Sequence, residues 1–185
     1  MFDGRFSLAV SPEGSVILPP PIRKKMQRQW GPNPELLCFG VQFLYICLAR
    51  NAEALLQRLD TQLCAAFPEE MYAVTDYFRR MENSVAQVQP THEGRFALPT
   101  RLMELLGVHR GGLLTLLGVE DHLELWNRER LEHQMRIFES GAPAGGRGLL
   151  ETPICLQDSE SPCSLLRGGL PETRRCGPCV YLRLP

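Results

Sequence analysis

The sequence predicts an α+β protein made of two pseudo-symmetric halves, on the strength of an internal echo and of the matching order of apolar segments after each copy of it. The segment Ser11-Pro12-Glu13-Gly14-Ser15-Val16-Ile17-Leu18-Pro19 returns eighty residues later as Thr91-His92-Glu93-Gly94-Arg95-Phe96-Ala97-Leu98-Pro99, so one unit is present twice. Each copy then runs through a polar-apolar stretch (Ile22 to Trp30; Leu102 to Val108) into an apolar run ending in glycine (Leu36 to Gly40; Leu113 to Gly118). Another apolar stretch comes next (Phe43 to Leu48; His122 to Trp126), and then an amphipathic helix. A unit of three short strands and one helix is too small to bury its own apolar face, which predicts that the two copies complete one core.

Val16-Ile17-Leu18 is a short buried strand entered through Pro12-Glu13-Gly14, where glycine supplies the positive φ of a tight turn. Pro19-Pro20-Pro21 ends it, because proline donates no backbone hydrogen bond, and sets the entry to a helix from about Ile22. Trp30-Gly31-Pro32-Asn33-Pro34 closes that helix in a loop. After Asn51, a candidate N-cap, Ala52, Leu55, Leu56, Leu59 and Leu63 recur at helical spacing. A second helix from near Pro68 carries Met71, Val74, Phe78, Met81 and Val85 as its predicted buried face and bridges the copies. Copy two repeats the plan, with a turn at Glu93-Gly94, a strand at Phe96 to Leu98 and a short helix from Thr100. Strands near Leu113 to Leu117 and His122 to Trp126 come next, then a helix capped by Asn127 with Leu131, Met135 and Phe138 on its apolar side. These assignments give a first repeat at 1–66, a connecting helix at 67–90, a second repeat at 91–138 and a flexible tail at 139–185. The tail is rich in proline and glycine and has no sustained period.

The composition, 44% hydrophobic and 22% charged over 185 residues, is that of an ordinary globular domain. No apolar run reaches the roughly 18 residues of a membrane span. The start of the chain, Met1-Phe2-Asp3-Gly4-Arg5, lacks the basic-then-apolar order of an export signal. A cytoplasmic protein with reduced thiols is therefore expected. The formal net charge of −1 gives no global sign of nucleic-acid binding, so such a role must rest on local clusters. The densest is Arg23-Lys24-Lys25 with Arg28, which also reads as a solvated helix face.

No catalytic constellation is present. His92, His109, His122 and His133 are scattered and make no metal-binding motif, and no phosphate loop occurs. No cofactor is expected. Cys176-Gly177-Pro178-Cys179 has the spacing of half a zinc site, which Cys155 and Cys163 would have to complete. A lone CxxC without an ordered context argues against a metal, although a zinc-binding appendage that recruits a partner is the reading it would support. Trp126, with Leu123 and Leu125, has the spacing of a strand closing onto its own core.

Over residues 1 to 138 the chain resembles the MraZ family, which carries two copies of a DNA-binding element related to the AbrB/SpoVT group. The resemblance rests on Met1-Phe2 with Gly4, the paired Glu-Gly turns, Leu18-Pro19 and Leu98-Pro99. Its most specific part is Leu123-Glu124-Leu125-Trp126-Asn127, which is similar to the family's Phe-Glu-Leu-Trp-Asp signature. The resemblance implies that the two units exchange strands to build a small swapped-hairpin β-barrel with flanking helices. It further implies a nucleoid-associated transcriptional regulator that assembles into homo-oligomeric rings and binds repeated sites in double-stranded DNA upstream of cell-wall and division genes.

The family's DNA-contacting motif is Asp-x-x-x-Arg at each turn. Copy one has Ser11 and Ser15 at those positions, and copy two has Thr91 but keeps Arg95. Arg95 is thus the main expected DNA contact, with Arg5, Arg23, Lys24, Lys25 and Arg28 as supporting cations. The serines equally fit an oligomeric scaffold or interaction protein with weakened or lost DNA binding.

Overall fold

Each copy of the repeated unit contributes four strands, one more than the sequence predicts. The computed structural model describes residues 1–66 and 71–139 and two short strands beyond them. Copy one supplies β1 (Arg5–Ala9), β2 (Ser15–Ile17), β3 (Leu36–Gly40) and β4 (Leu44–Leu48), with α1 (Pro20–Trp30) between β2 and β3. Copy two supplies β5 (Ala86–Val88), β6 (Arg95–Ala97), β7 (Leu113–Val119) and β8 (His122–Asn127), with α4 (Thr100–Leu106) between β6 and β7. Helices α2 (Ala52–Ala66) and α3 (Met71–Asn83) connect the copies, and α5 (Arg128–Glu139) follows the second. The strands missed from sequence are β1 and β5, which are equivalent in the two copies. β5 falls inside the segment assigned to the connecting helix.

The six-stranded antiparallel sheet has the order β1-β7-β8-β4-β3-β5, so each copy's hairpin carries one first strand at its outer edge. Leu8 of β1 stands opposite Leu114 of β7, and its equivalent Val88 in β5 stands opposite Leu36 of β3. Each first strand therefore pairs with the hairpin of the other copy. At the centre β4 meets β8 with Leu44 opposite Leu125, Tyr45 opposite Glu124 and Ile46 opposite Leu123. This register maps onto itself when the copies are interchanged.

The expected closed barrel is not formed. β1 and β5 remain the two edges of an open sheet, while β2 and β6 pair with each other as a separate two-stranded ribbon. The reason is local. Pro19 and Pro99 come shortly after these strands and have no N–H to donate, so neither strand can lengthen to bridge the sheet edges.

The chain divides into two compact units, Met1–Ala52 with Arg80–His133 and Glu53–Arg79 with Gln134–Pro185. The core of the first lies between one sheet face and a layer formed by the ribbon, α1 and α4. Leu36, Leu44, Ile46, Leu114, Leu116, Leu123 and Leu125 come from the sheet, Val16 and Phe96 from the ribbon, and Ile22, Met26, Leu102 and Leu106 from the helices, all buried. Each such side chain contributes about 1.5–3 kcal/mol relative to exposure. In the second unit α2 buries Leu55, Leu59 and Leu63, as its periodicity predicts. α3 buries Val74 and Tyr77, whereas Met71 and Val85 are exposed. Tyr77, rather than Phe78, thus continues the buried stripe. Met135 is likewise exposed, and Gln134 is buried in its place. β9 (Pro153–Ile154) and β10 (Val180–Tyr181) pair antiparallel. The other residues of the expected flexible tail, with the Cys176/Cys179 pair, lie outside the described residues.

The opposite face of the sheet carries an aromatic and charged layer. Trp126 is buried, as expected for a core position, and stacks on Phe43 with ring centroids 4.1 Å apart. Its Nε1 donates to Glu124 Oε2 at 2.9 Å. The fully buried Glu124 also faces His122, whose Nε2 is 3.5 Å from Oε1, and His122 Nδ1 lies 2.9 Å from Asp121 Oδ1. Strand alternation produces this cluster, since His122, Glu124 and Trp126 share one face of β8.

Burial alone would lower the pKa of His122, but the hydrogen bond to Asp121, the close approach of Glu124 and the charges of the two carboxylates outweigh it and raise the value above that of an ordinary histidine. A pKa raised on folding contributes stability that is fully present below the unfolded value of about 6.5 and is lost as pH rises through the folded value. Denaturant unfolding at stepped pH should therefore show the midpoint falling as pH rises above about 6.5, and His122→Gln should flatten that dependence; an unchanged profile in the variant would refute the assignment. Gly40 gives a second prediction. A Cβ there would lie 1.8 Å from the Phe43 carbonyl oxygen, and the Gly40 N–H donates to Ser84 Oγ at 2.8 Å. Gly40→Ala should cost at least the roughly 1–3 kcal/mol typical of overpacking, to be read as a shift of the thermal midpoint, whereas a midpoint equal to that of the parent chain would mean the β3–β4 turn is not constrained as described.

Candidate nucleic-acid interface

The β2–β6 ribbon is built by two equivalent turns. In copy one Gly14 N–H donates to Ser11 O at 2.9 Å and Ser11 N–H to Ser15 O at 2.8 Å. In copy two Gly94 N–H donates to Thr91 O at 2.8 Å and Thr91 N–H to Arg95 O at 2.8 Å. Gly14 and Gly94 take φ of +80° and +78°, which L side chains adopt only under strain. The Ser11 and Thr91 hydroxyls cap their turns by accepting from Ser15 N–H at 3.1 Å and Arg95 N–H at 3.2 Å. The turns then lock reciprocally: Leu18 N–H donates to Gly94 O and Leu98 N–H to Gly14 O, both at 2.9 Å.

Alternation turns Val16 and Phe96 into the core and Ser15, Ile17, Arg95 and Ala97 to the other side. Ile17 is 47% exposed and stands directly opposite Arg95. Arg95 is exposed and its Nη1 donates to Ser15 Oγ at 3.2 Å. Ser15 Oγ is in turn 2.9 Å from Ser11 Oγ. Glu13 in the same turn has a lowered pKa, chiefly from the Ser11 hydroxyl and its own backbone N–H, with smaller contributions from the charges of Arg95 and Arg110. Ser15, at the position of copy one equivalent to Arg95, therefore serves as an acceptor that orients the arginine of copy two.

The other basic residues expected at the site take different places. Arg23, Lys24, Lys25 and Arg28 lie on α1. Arg23 packs across turn two, where its Cδ lies 2.2 Å from the position a Gly94 Cβ would take, and its Nε is buried without a hydrogen bond among the described residues. Its equivalent in copy two is Met103, which covers Gly14. Lys25 is ion-paired with Asp3, while Lys24 and Arg28 are exposed. Arg5 opens β1 opposite Leu117, at the strand end away from the turn and about 13 Å from Ala9 at strand rise. The structure thus brings Arg95 and Arg23 to the turns and leaves Arg5 apart.

Sequence reasoning missed Arg110, an exposed residue in the loop after α4. Its only signal is the following Gly111-Gly112, which marks a turn. Among the described residues no group of three His, Cys, Asp or Glu could hold a metal ion, and no helix is long and apolar enough to cross a membrane.

The fold and the ribbon define an α+β protein whose two repeated copies exchange strands and present the Arg95 guanidinium on a paired-strand ribbon. No protein-family model matches the chain. It is similar to the transcriptional regulator MraZ of Bacteroides thetaiotaomicron, with 23% identity over 131 residues that cover 71% of this chain and 81% of that protein.

Because φ at Gly94 lies in the left-handed region, Gly94→Ala should cost about 1–2 kcal/mol, read by denaturant unfolding. Adding Arg23→Ala removes the side-chain contact but not the φ strain and should fail to recover the loss, whereas full recovery would show that packing alone fixes the turn.

Proposed function

We propose that the chain is a DNA-binding transcriptional regulator of the MraZ type, with the β2–β6 ribbon as its reading element. The observation that carries this reading is Arg95 on the outward face of a two-stranded ribbon, in a chain similar to a transcriptional regulator over most of its length. The major groove, about 12 Å wide, admits a two-stranded ribbon, and arginine there reads the acceptors of guanine or pairs with phosphate. Ile17 beside it supplies an apolar surface to a base edge. The Ser15 hydroxyl orients the guanidinium while leaving its charge unneutralised. Arg23, Lys24 and Arg28 add cationic surface along α1, and Lys25 adds less because Asp3 offsets it.

On this reading the protein acts in the cytoplasm at the nucleoid. It works as a homo-oligomeric ring on repeated sites upstream of cell-wall and division genes, where several subunits compensate for one strong contact per chain. The scaffold alternative draws on Ser15, which cannot neutralise a phosphate.

A band shift with DNA upstream of the chain's own gene separates the two. Arg95→Ala should weaken binding about 10- to 100-fold, since a charged hydrogen bond is worth about 1.5–3 kcal/mol, with the oligomer unchanged by light scattering. An intact oligomer that binds no DNA would favour the scaffold.

A further inference from the structure

The two turns of the ribbon are flanked by loops of different charge. Turn two, which carries Arg95, is lined by Pro32 and Pro34 from the 31–34 loop after α1, which holds no charged side chain. Turn one, which has Ser15 in place of arginine, is flanked by the loop after α4, and that loop presents Arg110.

This loop is held rigidly. Gly107 ends α4 in the left-handed conformation, and Val108 N–H donates to Met103 O at 3.0 Å, a C-terminal cap that fixes the exit direction of the chain. Gly112 N–H donates to His109 O at 2.9 Å, which makes Arg110 a central residue of a tight turn. Gly111 N–H donates to Val10 O at 2.8 Å and Val10 N–H to Gly112 O at 3.0 Å. The tip is thus fastened to the residue that precedes turn one. Arg110 is exposed and helps line an open cleft of about 750 Å³ together with His109, Asn127, Arg128, Glu129 and Glu132. Arg128 is engaged with Glu132 at 2.9 Å. The bonds of Gly111 and Gly112 with Val10 set the loop beside turn one, and the Glu13 carboxyl of that turn feels the charges of both Arg95 and Arg110.

We propose that Arg110 supplies, from the loop after α4, the phosphate-binding cation that the copy-one turn lacks, so that one chain grips the DNA backbone beside turn one while Arg95 contacts it from the ribbon. This rests on the DNA-binding reading above. The ligand is a phosphodiester of duplex DNA. A rigid loop tip with an arginine suits a backbone contact, which fixes the protein's position on the duplex and carries no sequence information.

The test uses the full chain with a fluorescein-labelled duplex from upstream of its own gene and a scrambled duplex of the same composition, titrated by anisotropy across a salt series. Arg110→Gln should lower the slope of log affinity against log salt by about 0.9 for each Arg110 engaged. It should weaken both duplexes by the same factor, and Arg110→Lys should restore the slope. Equal melting temperatures and light scattering confirm that the variants are folded and assembled. A slope and affinity equal to those of the parent chain, with Arg95→Gln still impaired, would overturn this proposal and leave the regulator reading standing. A loss confined to the upstream duplex would overturn the phosphate assignment, because base reading would then be the role. A parent chain that binds neither duplex would bring down both readings.

Discussion

The pairing of each copy's first strand with the other copy's hairpin is the constraint on which the rest of the structure depends. β1 lies on β7 and β5 lies on β3, while β4 and β8 join the halves at a register that maps onto itself. A single copy would leave its own first strand without a partner and the edges of its hairpin open, with buried positions such as Leu36, Leu44 and Ile46 exposed to water. The same reciprocity governs the ribbon, where the strand of each copy pairs with that of the other and Leu18 and Leu98 donate to the other copy's turn. Folding and assembly of the ribbon are therefore one event, and its geometry is inherited from the core beneath Val16 and Phe96.

Symmetry of the backbone coexists with divergence of the side chains. The turns match in their hydrogen bonds and in the φ of Gly14 and Gly94, yet Ser15 answers to Arg95, Arg23 to Met103 and Tyr45 to Glu124. Where the exchanged strands must pair, the backbone tolerates little variation. At the outward face and at the sheet centre, equivalent positions of the two copies carry different residues. Ser15 now accepts from the arginine of the other copy, and Glu124 joins His122 and Trp126 in a buried polar cluster that a tyrosine could not make.

Much of the fold was legible because its signals are local. Gly14 and Gly94 announced their turns by residue type, Asn127 its helix cap by accepting from Glu129 and Arg130 N–H, and Trp126 its core position by strand spacing. The missed elements have equally specific causes. β1 and β5 each bury a single residue and become strands only against β7 and β3, and Val85, beside β5, fits a helical stripe equally well by spacing. On α3, Tyr77 and Phe78 each satisfy a 3.6-residue period, and periodicity cannot choose between adjacent aromatics. At the candidate interface Arg95 was readable from the repeat, whereas Arg110 was not, because it belongs to no repeated position and is placed by bonds between its loop and Val10.

The sequence by itself determined the repeat, the turns, a helix after the proline triplet and another from Thr100, and the strand residues that alternate into the core, since each arises from backbone preferences within a few neighbours. Tertiary structure alone decided that the sheet stays open, that Arg95 leans on Ser15 of the other copy, that Lys25 is held by Asp3 and that Arg110 stands at turn one. Those outcomes depend on contacts between segments distant along the chain, which the preferences of a few neighbouring residues do not encode.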